Sequence, residues 1–446
     1  PAYHFAPARN WMNDPNGTVF DGEKYHLFYQ YNPNGSSWGD ICWAYAVSRD
    51  LLNWQRRGIR LSPERARGEA HCFSGCAFPA EGGYTVAYTS VGEGENAASE
   101  RAEQVFCSAD PAFCGIERRA RINAGINPFP VREWRDPFLF SYNGKNYMLL
   151  AGMRGSRGCI FLYAQGGGAY DWRFVGELYG REGEMLECPN AVLFGNRMAL
   201  FYSSSRDVCI RAACGDFDGE RFAVREEYPA DFGDCIYASN LSAAAGGGTA
   251  FYAWMRETEE DPARGYSGCL ALPRLFSLSG YRPLFAPLPA LCSLEGELLP
   301  AGARVSRARV RLPLRGNVCL LRGKEGDGVR IEAGGGRVRV FRTRKGEALA
   351  PLSMPAEGDF ADLYLDGTAA EMYAGGRVMS FRFYGEGCAL LPEGGAAARE
   401  MRPAEISGEK LFFGEKDKFY TSMCYTALTG GGSRGRAVCL FYTAAS

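Results

Sequence analysis

The sequence predicts an all-β protein: a five-bladed β-propeller followed by a C-terminal β-sandwich. Hairpin-type turn signals recur through the first two thirds of the chain at intervals of roughly 50 to 60 residues. The short apolar runs beside these turns have the length of strands, and this region shows little helical periodicity. The composition then changes at a proline-rich stretch from Pro283 to Pro300, beyond which short strands and Gly-rich turns continue.

The repeating unit is a hairpin followed by one or two further short strands, such as Cys42–Val47 and Trp54–Gly58 after the first hairpin. The five turns are Asp21-Gly22, Gly82-Gly83, Asn143-Gly144, Gly195-Asn196 and the run Gly246 to Gly248. The strand pairs predicted around them are Thr18–Phe20 with Tyr25–Tyr31, Cys72–Phe78 with Tyr84–Ser90, Phe138–Tyr142 with Asn146–Ala151, Ala191–Phe194 with Met198–Ser204, and Ile236–Ser242 with Thr249–Met255. Five units of about four strands are typical of a propeller.

The domain boundaries follow from this division of the chain. We expect the propeller at residues 1–285, a linker at 286–300 and the sandwich at 301–446. The strands predicted in the sandwich are Val305–Leu312, Val318–Leu321, Val329–Ala333, Val338–Arg342, Phe360–Leu365, Ala370–Tyr373, Val378–Phe383 and Ala437–Tyr442. No catalytic constellation is visible after the linker, so we expect a supporting role for this part.

Composition and charge exclude several classes of function. A chain of 446 residues with 46% hydrophobic and 23% charged residues is typical of a globular protein with more than one core. Its net charge of −1 offers no general attraction to nucleic acid or to an anionic membrane. No apolar run is long enough to span a bilayer. The sequence leaves open both a homo-oligomer and a leader removed before Pro1.

The cysteines indicate the compartment. The 16 cysteines are scattered through strand-like stretches, and none forms the Cys-x-x-Cys pair of a zinc or redox site. Buried free thiols suit a reducing environment better than a disulfide framework does, so we expect a cytoplasmic protein. We expect neither a metal nor a cofactor.

Three acids stand out by their position in the repeat. Asp14 lies in Trp11–Gly17, which we interpret as a short stiff loop leading into the first hairpin, and its backbone is expected to be extended because Pro15 follows. Asp136 precedes a proline at the head of the third unit, and Glu187 lies just before Pro189 at the head of the fourth. Because the first strand of each propeller blade lines the central axis, these three carboxylates are expected to converge there.

The residue types around the acids favour carboxylate chemistry. Any single Asp-Pro or Glu-Cys-Pro string is an ordinary loop sequence, so the inference depends on three acids in equivalent places. Glu187 lies beside Leu186 and Cys188 and is expected to be partly desolvated, which suits a general acid. Arg135 is expected to favour the ionised form of Asp136 or to grip a hydroxylated substrate.

Other catalytic chemistries have little support in the sequence. The only histidines are His4, His26 and His71, and none is placed near a Gly-x-Ser-x-Gly elbow or at metal-ligand spacing. Each is expected to be a loop or strand-face residue. Glycine motifs that cradle phosphate are absent.

The motifs around these three acids resemble those of glycoside hydrolase family 32, the β-fructofuranosidases. This family includes invertases, sucrose-6-phosphate hydrolases, levanases and inulinases. The three signature boxes of that family are matched, in order, by Trp11–Gly17, Trp134–Phe138 and Glu187-Cys188-Pro189. Further matches are Tyr29-Gln30-Tyr31-Asn32-Pro33, Trp38-Gly39, Ser48-Arg49-Asp50-Leu51 with Trp54, Phe73-Ser74-Gly75, Asp231-Phe232-Gly233 with Tyr237-Ala238, Leu272-Pro273-Arg274, and Leu365-Asp366-Gly367 with Glu371.

The resemblance implies a propeller with a sandwich and retaining hydrolysis of a terminal β-fructofuranoside. By similarity Asp14 is the nucleophile, Glu187 the acid/base, and Asp136 the stabiliser that binds fructose hydroxyls. The positions matching the fructose pocket of the family are Asn13, Gln30, Trp38, Phe73, Ser74, Arg135 and Tyr237. Trp38 is equally compatible with core packing. A retaining pair requires carboxyl groups about 5–5.5 Å apart.

Departures from the family pattern leave the substrate open. Trp43-Ala44-Tyr45 stands where Trp-Gly-His is common, and Asn190 stands where Asp is usual. The expected partner is a small fructoside: sucrose, its 6-phosphate or a short fructan. A phosphate would need a basic pocket, for which the candidates are Arg65, Arg67 and Arg157. Fructosyl transfer by the same acids, and a non-catalytic sugar-binding propeller, are the alternatives.

Overall fold

The computed structural model describes residues 1–94, 102–257, 264–385, 387–392 and 396–408. Its regular structure consists of strands in seven sheets. The helical elements within these ranges include the 3₁₀ turns Arg65–Arg67, Ala124–Ile126, Ala245–Gly247 and Pro289–Leu294. No helix in the described ranges is long and apolar enough to cross a bilayer.

Five sheets follow one another up to residue 287, each built on consecutive antiparallel strands. The first contains β1 (Asn10–Phe20), β2 (Tyr25–Asn32), β3 (Cys42–Ser48) and β4 (Trp54–Leu61), and the second β5 (His71–Ala80), β6 (Gly83–Val91), β7 (Glu103–Ala109) and β8 (Ile116–Asn123). The third contains β9 (Arg132–Tyr142), β10 (Lys145–Arg154), β11 (Arg157–Gln165) and β12 (Trp172–Glu182), and the fourth β13 (Leu186–Phe194), β14 (Arg197–Ser204), β15 (Cys209–Phe217) and β16 (Phe222–Pro229). The fifth contains β17 (Ile236–Ala244), β18 (Gly248–Met255), β20 (Cys269–Leu270), β21 (Arg274–Ser279) and β22 (Arg282–Pro287), while the short strand β19 (Tyr266–Ser267) pairs in parallel with β1.

The first strands of these five sheets form a ring. In order around it, β1 contacts β5, β5 contacts β9, β9 contacts β13, β13 contacts β17, and β17 returns to β1. All five turn signals and the strands predicted on either side of them are confirmed, because each falls in a hairpin between the first two strands of a sheet. Residues near one end of the five first strands therefore approach a common axis.

The prediction of a short loop at Trp11–Gly17 is wrong, since these residues belong to strand β1. The residue before a proline favours extended backbone, and that preference is compatible with a strand as well as a loop. The ladder with β2 shifts register between Met12 and Pro15 and again between Asn16 and Val19. Asp14 therefore lies in the first of two irregularities of a strand, where a bulge can re-aim a side chain.

Two further sheets pack face to face after residue 287. One contains β23 (Glu295–Leu298), β25 (Arg307–Pro313), β31 (Phe360–Asp366), β32 (Ala369–Ala374), β33 (Arg377–Arg382) and β35 (Ala397–Met401). The other contains β24 (Arg304–Val305), β26 (Asn317–Arg322), β27 (Gly328–Gly334), β28 (Arg337–Arg344), β29 (Glu347–Ala348), β30 (Leu352–Pro355) and β34 (Cys388–Pro392). Val310 and Leu363 of the sixth sheet share one buried cluster with Ile331 and Val340 of the seventh.

Residues 286–300, predicted as a linker, contain regular structure. Pro289–Leu294 forms a 3₁₀ turn, and Glu295–Leu298 adds a strand to the sixth sheet by pairing with β35. The final described strand, β36 (Ile406–Gly408), runs back to pair in parallel with β4 of the first sheet. The predicted strand Ala437–Tyr442 lies outside the described residues.

A buried ionic network joins the chain's beginning to the fifth and sixth sheets. The His4 ring lies between Asp366 (3.0 Å) and Glu371 (3.1 Å), and Arg274 bridges Glu371 (3.0 Å) and Asp231 (2.8 Å). Burial alone would raise the pKa of Asp366, but the hydrogen bond and charge of His4 outweigh it and lower that pKa to about 2. The two groups of sheets thus share a buried charged contact as well as apolar packing.

Candidate active site

The three predicted acids come from three neighbouring first strands: Asp14 from β1, Asp136 from β9 and Glu187 from β13. The register of each strand shifts beside its acid. Asp136 has a left-handed backbone with φ of 62°, and Cys188, next to Glu187, has φ of 49°. Residues other than glycine seldom adopt this conformation, and it concentrates at functional sites, where neighbouring structure holds it in place.

Asp14 is held by donors on both carboxylate oxygens. Asn13 Nδ2 donates to Oδ1 (3.0 Å), and the hydroxyl of Ser74 donates a short hydrogen bond to Oδ2. Gln30 fixes both donors, since its Oε1 accepts from Asn13 Nδ2 (2.5 Å) and its Nε2 donates to Ser74 Oγ (2.8 Å). Burial raises the pKa of Asp14, and the hydrogen bonds from Ser74 and Asn13 offset part of that rise. The hydrogen bonds orient the carboxylate and favour its charged form, while burial keeps the pKa of Asp14 above its ordinary value.

Asp136 is the most enclosed of the three carboxylates, with 5% of its surface exposed. Its Oδ2 accepts from the backbone N–H of Cys188 (2.8 Å), and its own N–H donates to Thr89 Oγ1 (2.9 Å). Removal from water raises the pKa of Asp136 to about 7, against the opposing charge of Arg135. Arg135 therefore acts in the predicted direction, but desolvation is the larger effect.

Glu187 is more open than Asp136 and is held by two donors. Its side chain is 24% exposed. Arg135 Nη2 donates to Oε1 (2.6 Å), and the hydroxyl of Tyr237 donates a short hydrogen bond to Oε2. A second nitrogen of Arg135 binds Glu133. The guanidinium thus links the acids of the third and fourth sheets, because its Nε also lies 3.9 Å from Asp136 Oδ2.

Cys188 shows that the three acids occupy one site. Its backbone N–H binds Asp136, its Sγ lies 3.5 Å from Asp14 Oδ2, and it directly follows Glu187. A narrow cavity continues along the axis beside these groups, lined by residues of all five first strands, among them Asn16, Ser74, Asp136, Cys188 and Asn240. The predicted convergence of distant carboxylates is thus present in the structure.

Trp38 and Phe73 form an aromatic group beside this network. Trp38 is 49% exposed, which rules out the alternative that it is core packing. Its ring lies 4.8 Å from that of His71 and 6.1 Å from that of Phe73, the residue before Ser74. An exposed ring beside a polar pocket is suited to the apolar face of a sugar.

Three residues of the site were missed by the sequence reasoning: Cys188, Thr89 and His71. Cys188 acts through its backbone N–H and an unusual φ, neither of which is visible in a residue type. Thr89 lies in β6, the second strand of its sheet, whereas the predicted acids all lie in first strands. His71 was interpreted as a strand-face residue; the signal that could have found it is its position two residues before Phe73.

The arginines considered for a phosphate pocket are already paired with acids. Arg65 binds Asp40 (2.7 Å), and Arg157 binds Glu177 (2.8 Å). Arg67 lies 3.8 Å from Glu64. A phosphate would have to compete with these carboxylates, so the three arginines do not form a ready phosphate site.

The model of the glycosyl hydrolases family 32 N-terminal domain matches residues 4–286. The chain belongs to glycosyl hydrolase family 32. A family 32 relative, the sucrose-6-phosphate hydrolase of Zymomonas mobilis, is 30% identical over 317 residues, which are 65% of this chain and 62% of that protein. The raffinose invertase of Escherichia coli is 29% identical over 294 residues, 61% of each chain. The alignments thus span about three fifths of these relatives' own length.

Solved family 32 structures share the fold. The GH32 β-fructofuranosidase of Bombyx mori has a TM-score of 0.77 and 24% identity, covering 90% of this chain and 94% of that one. The fructan 1-exohydrolase IIa of Cichorium intybus, solved with 1-kestose, has a TM-score of 0.75 and 20% identity, covering 92% and 98%. The likeness extends over both groups of sheets, since it covers nearly the whole chain.

Proposed function

We propose that this family 32 chain is a retaining β-fructofuranosidase that releases terminal fructose from sucrose or a short fructo-oligosaccharide. The observation that carries the proposal is the convergence of Asp14, Asp136 and Glu187 on one site, joined through Cys188 and Arg135. A sugar-binding protein without catalysis would not need three carboxylates placed in this way. The Zymomonas mobilis and Escherichia coli relatives, named for sucrose 6-phosphate and raffinose, support a fructoside substrate.

Asp14 is the proposed nucleophile. Asn13 and Ser74 donate to different oxygens of its carboxylate, so its orientation is set before substrate arrives. It attacks the anomeric carbon of the fructosyl group and displaces the leaving oxygen, which gives a covalent fructosyl-enzyme. Water then cleaves this ester with a second inversion, so the configuration at the anomeric carbon is retained.

Glu187 is the proposed acid and base. It gives its proton to the leaving oxygen in the first step and removes one from water in the second. Arg135 and Tyr237 hold its two oxygens, and its 24% exposure leaves room for a leaving group and then for water. Asp136 is proposed to bind fructose hydroxyls. Asn13, Gln30, Ser74 and Arg135 are proposed to line the same subsite, with Trp38 and Phe73 beside it.

We further propose that the first five sheets are the blades of a five-bladed β-propeller and that the last two form a β-sandwich. Support comes from the ring of first strands and from the shared cluster of the last two sheets. The proposed division keeps residues 1–285 and 301–446 as the two domains, and the connecting residues 286–300 contribute strand β23 to the sixth sheet. A reducing, cytoplasmic setting is proposed because buried cysteines such as Cys72, Cys76, Cys107 and Cys159 carry free thiols.

The test uses the variants Asp14→Asn and Glu187→Gln, with Asp359→Asn as a matched control on the exposed surface of the last sheets. On sucrose both site variants are expected to lose at least about 10³-fold in kcat. On β-fructofuranosyl fluoride, whose leaving group needs no proton, Glu187→Gln should recover much of its first step while Asp14→Asn should not.

Product analysis over time decides the substrate and the reaction. The panel is sucrose, sucrose 6-phosphate, 1-kestose, inulin and levan, with released fructose and new oligosaccharides quantified. Free fructose as the main product supports hydrolysis, whereas new oligosaccharides would indicate transfer. No release from any member, with correctly folded protein, would refute the proposed function.

A further inference from the structure

A strand of the sixth sheet holds the segment that leads into Tyr237. The backbone N–H of Phe232 donates to Val378 O (2.9 Å), and that of Asp234 donates to Ser380 O (3.3 Å). Ser380 returns two bonds to Asp231, from its N–H (2.8 Å) and from its hydroxyl (2.7 Å). The backbones are so close that a Cβ at Gly233 would lie 1.6 Å from the carbonyl oxygen of Ser380.

Arg342 reaches the same segment from the seventh sheet. Its Nη1 and Nη2 donate to the two oxygens of Asp234, at 3.1 and 2.5 Å. Arg342 is 5% exposed and Asp234 41%, so the buried guanidinium holds a more exposed carboxylate. This two-pronged geometry fixes orientation as well as distance, which a single contact does not.

The other side of the segment contacts the residue that covers Tyr237. Arg256 donates its backbone N–H to Cys235 O (2.7 Å) and its Nη2 to Asp234 O (3.2 Å). Its guanidinium carbon lies 5.9 Å from the centre of the Tyr237 ring. The Tyr237 hydroxyl in turn donates to Glu187. The segment is therefore held between Arg342 and Arg256, three residues before the side chain that orients Glu187.

We propose that Arg342 is a positioning residue for catalysis, acting through Asp234 and Tyr237 on Glu187. This inference rests on the proposed role of Glu187 as acid and base. It assigns to the last two sheets a part in the chemistry, beyond supporting the fold. Loss of the Arg342–Asp234 pair leaves the carboxylates in place but loosens the hydrogen bond from Tyr237 to Glu187.

The pH–rate profile distinguishes this positioning role from a simple loss of stability. A carboxylate that loses a donor to its charged form holds its proton more tightly, so the alkaline limb of the pH–rate profile should move to higher pH. Substitution at Arg342 leaves unchanged the charged and titratable groups that face Glu187. They are Arg135 (with its partner Glu133) and Asp136 from β9, Asp14 from β1, Cys188 from β13, and Tyr237 from β17.

The experiment compares Arg342→Gln, Asp234→Asn and the double variant with Arg309→Gln as a control. Arg309 is also a partly buried arginine paired with acids, but it lies in β25 and contacts Asp362 and Glu295. In the test variants kcat should fall about three- to tenfold with KM within about twofold. The alkaline limb should rise by at least about 0.3 pH unit. The double variant should be no worse than either single one.

Arg342→Lys should restore part of the lost kcat, because it keeps the charge but not the fork. The control should lose comparable melting temperature without moving the limb. An unchanged limb and kcat in Arg342→Gln, or an equal change in Arg309→Gln, would overturn the inference. If the wild type cleaves no fructoside, the proposed function is refuted, and not the positioning role specifically. If the wild type and Glu187→Gln behave as proposed, the results for Arg342→Gln test only the positioning role.

Discussion

Replacing Asp136 by Asn should stabilise the protein at alkaline pH while removing its activity. Asp136 is 5% exposed, and burial raises its pKa to about 7 from the ordinary 3.8. The folded state therefore binds a proton more tightly than the unfolded state does. The free energy of unfolding of the wild type should therefore decrease as pH rises from about 4 to about 7, and it should stay constant above that.

The magnitude follows from the difference between the two pKa values. Each unit corresponds to about 1.4 kcal/mol, so ionised Asp136 costs up to roughly 4 kcal/mol at pH 8. Asn carries no charge, and its amide oxygen can still accept from the Cys188 N–H. We expect Asp136→Asn to be more stable than the wild type by about 2–4 kcal/mol at pH 8 and equal to it near pH 4.

The assay is thermal unfolding of both proteins at several pH values between 4 and 8. Because melting temperature responds less per kcal/mol in longer chains, a rise of only several degrees is expected at pH 8. Asp366→Asn is the control of opposite sign, since His4 lowers the pKa of Asp366 to about 2. That variant should be destabilised above pH 4, and the difference should narrow as pH falls towards 2. A gap between Asp136→Asn and wild type that is independent of pH, or a destabilised variant at pH 8, would refute the reasoning.

Three other substitutions give distinct outcomes. Ser74→Ala removes a donor from the Asp14 carboxylate, so kcat/KM should fall about 10- to 100-fold, measured as fructose release from sucrose; an unchanged value would remove Ser74 from the site. Trp38→Ala removes the exposed ring and should raise KM about five- to tenfold with kcat nearly unchanged, whereas a selective loss of kcat would contradict a binding role. Gly233→Ala places a Cβ 1.6 Å from the Ser380 carbonyl oxygen and should lower stability by about 1–3 kcal/mol or more in thermal unfolding; a neutral effect would show that the two backbones separate easily.

The hairpins could be predicted because their signals are local. Asn143-Gly144 has φ of 49° and 74°, the left-handed pair that an Asn-Gly turn supplies, and the strands beside it follow. The acids could be found because each precedes, or nearly precedes, a proline at an equivalent place in the repeat. Chain position and residue type were sufficient for both.

The remainder depends on contacts that no local pattern encodes. The left-handed backbones of Asp136 and Cys188 arise where the register of β9 and β13 shifts, and neither residue type signals such a shift. The Asp-Pro string of β1 is compatible with a loop and with a strand. The loop prediction was wrong because this segment pairs with β2, and that pairing cannot be inferred from the string itself. Partners such as His4 and Asp366 are 362 residues apart, and only the folded chain brings them together.

The measurement that tests the central claim most directly is the identity of the residue that carries the fructosyl group. Glu187→Gln is mixed with β-fructofuranosyl fluoride, quenched with acid, digested, and its peptides are analysed by mass spectrometry. Because the second step lacks its base, the intermediate should accumulate. The account predicts one added fructosyl unit on the peptide that contains Asp14, and none when Asp14→Asn is combined with the first change. A label on a different carboxylate would contradict the account. So would the release by the wild type of fructose whose anomeric configuration is inverted relative to the substrate.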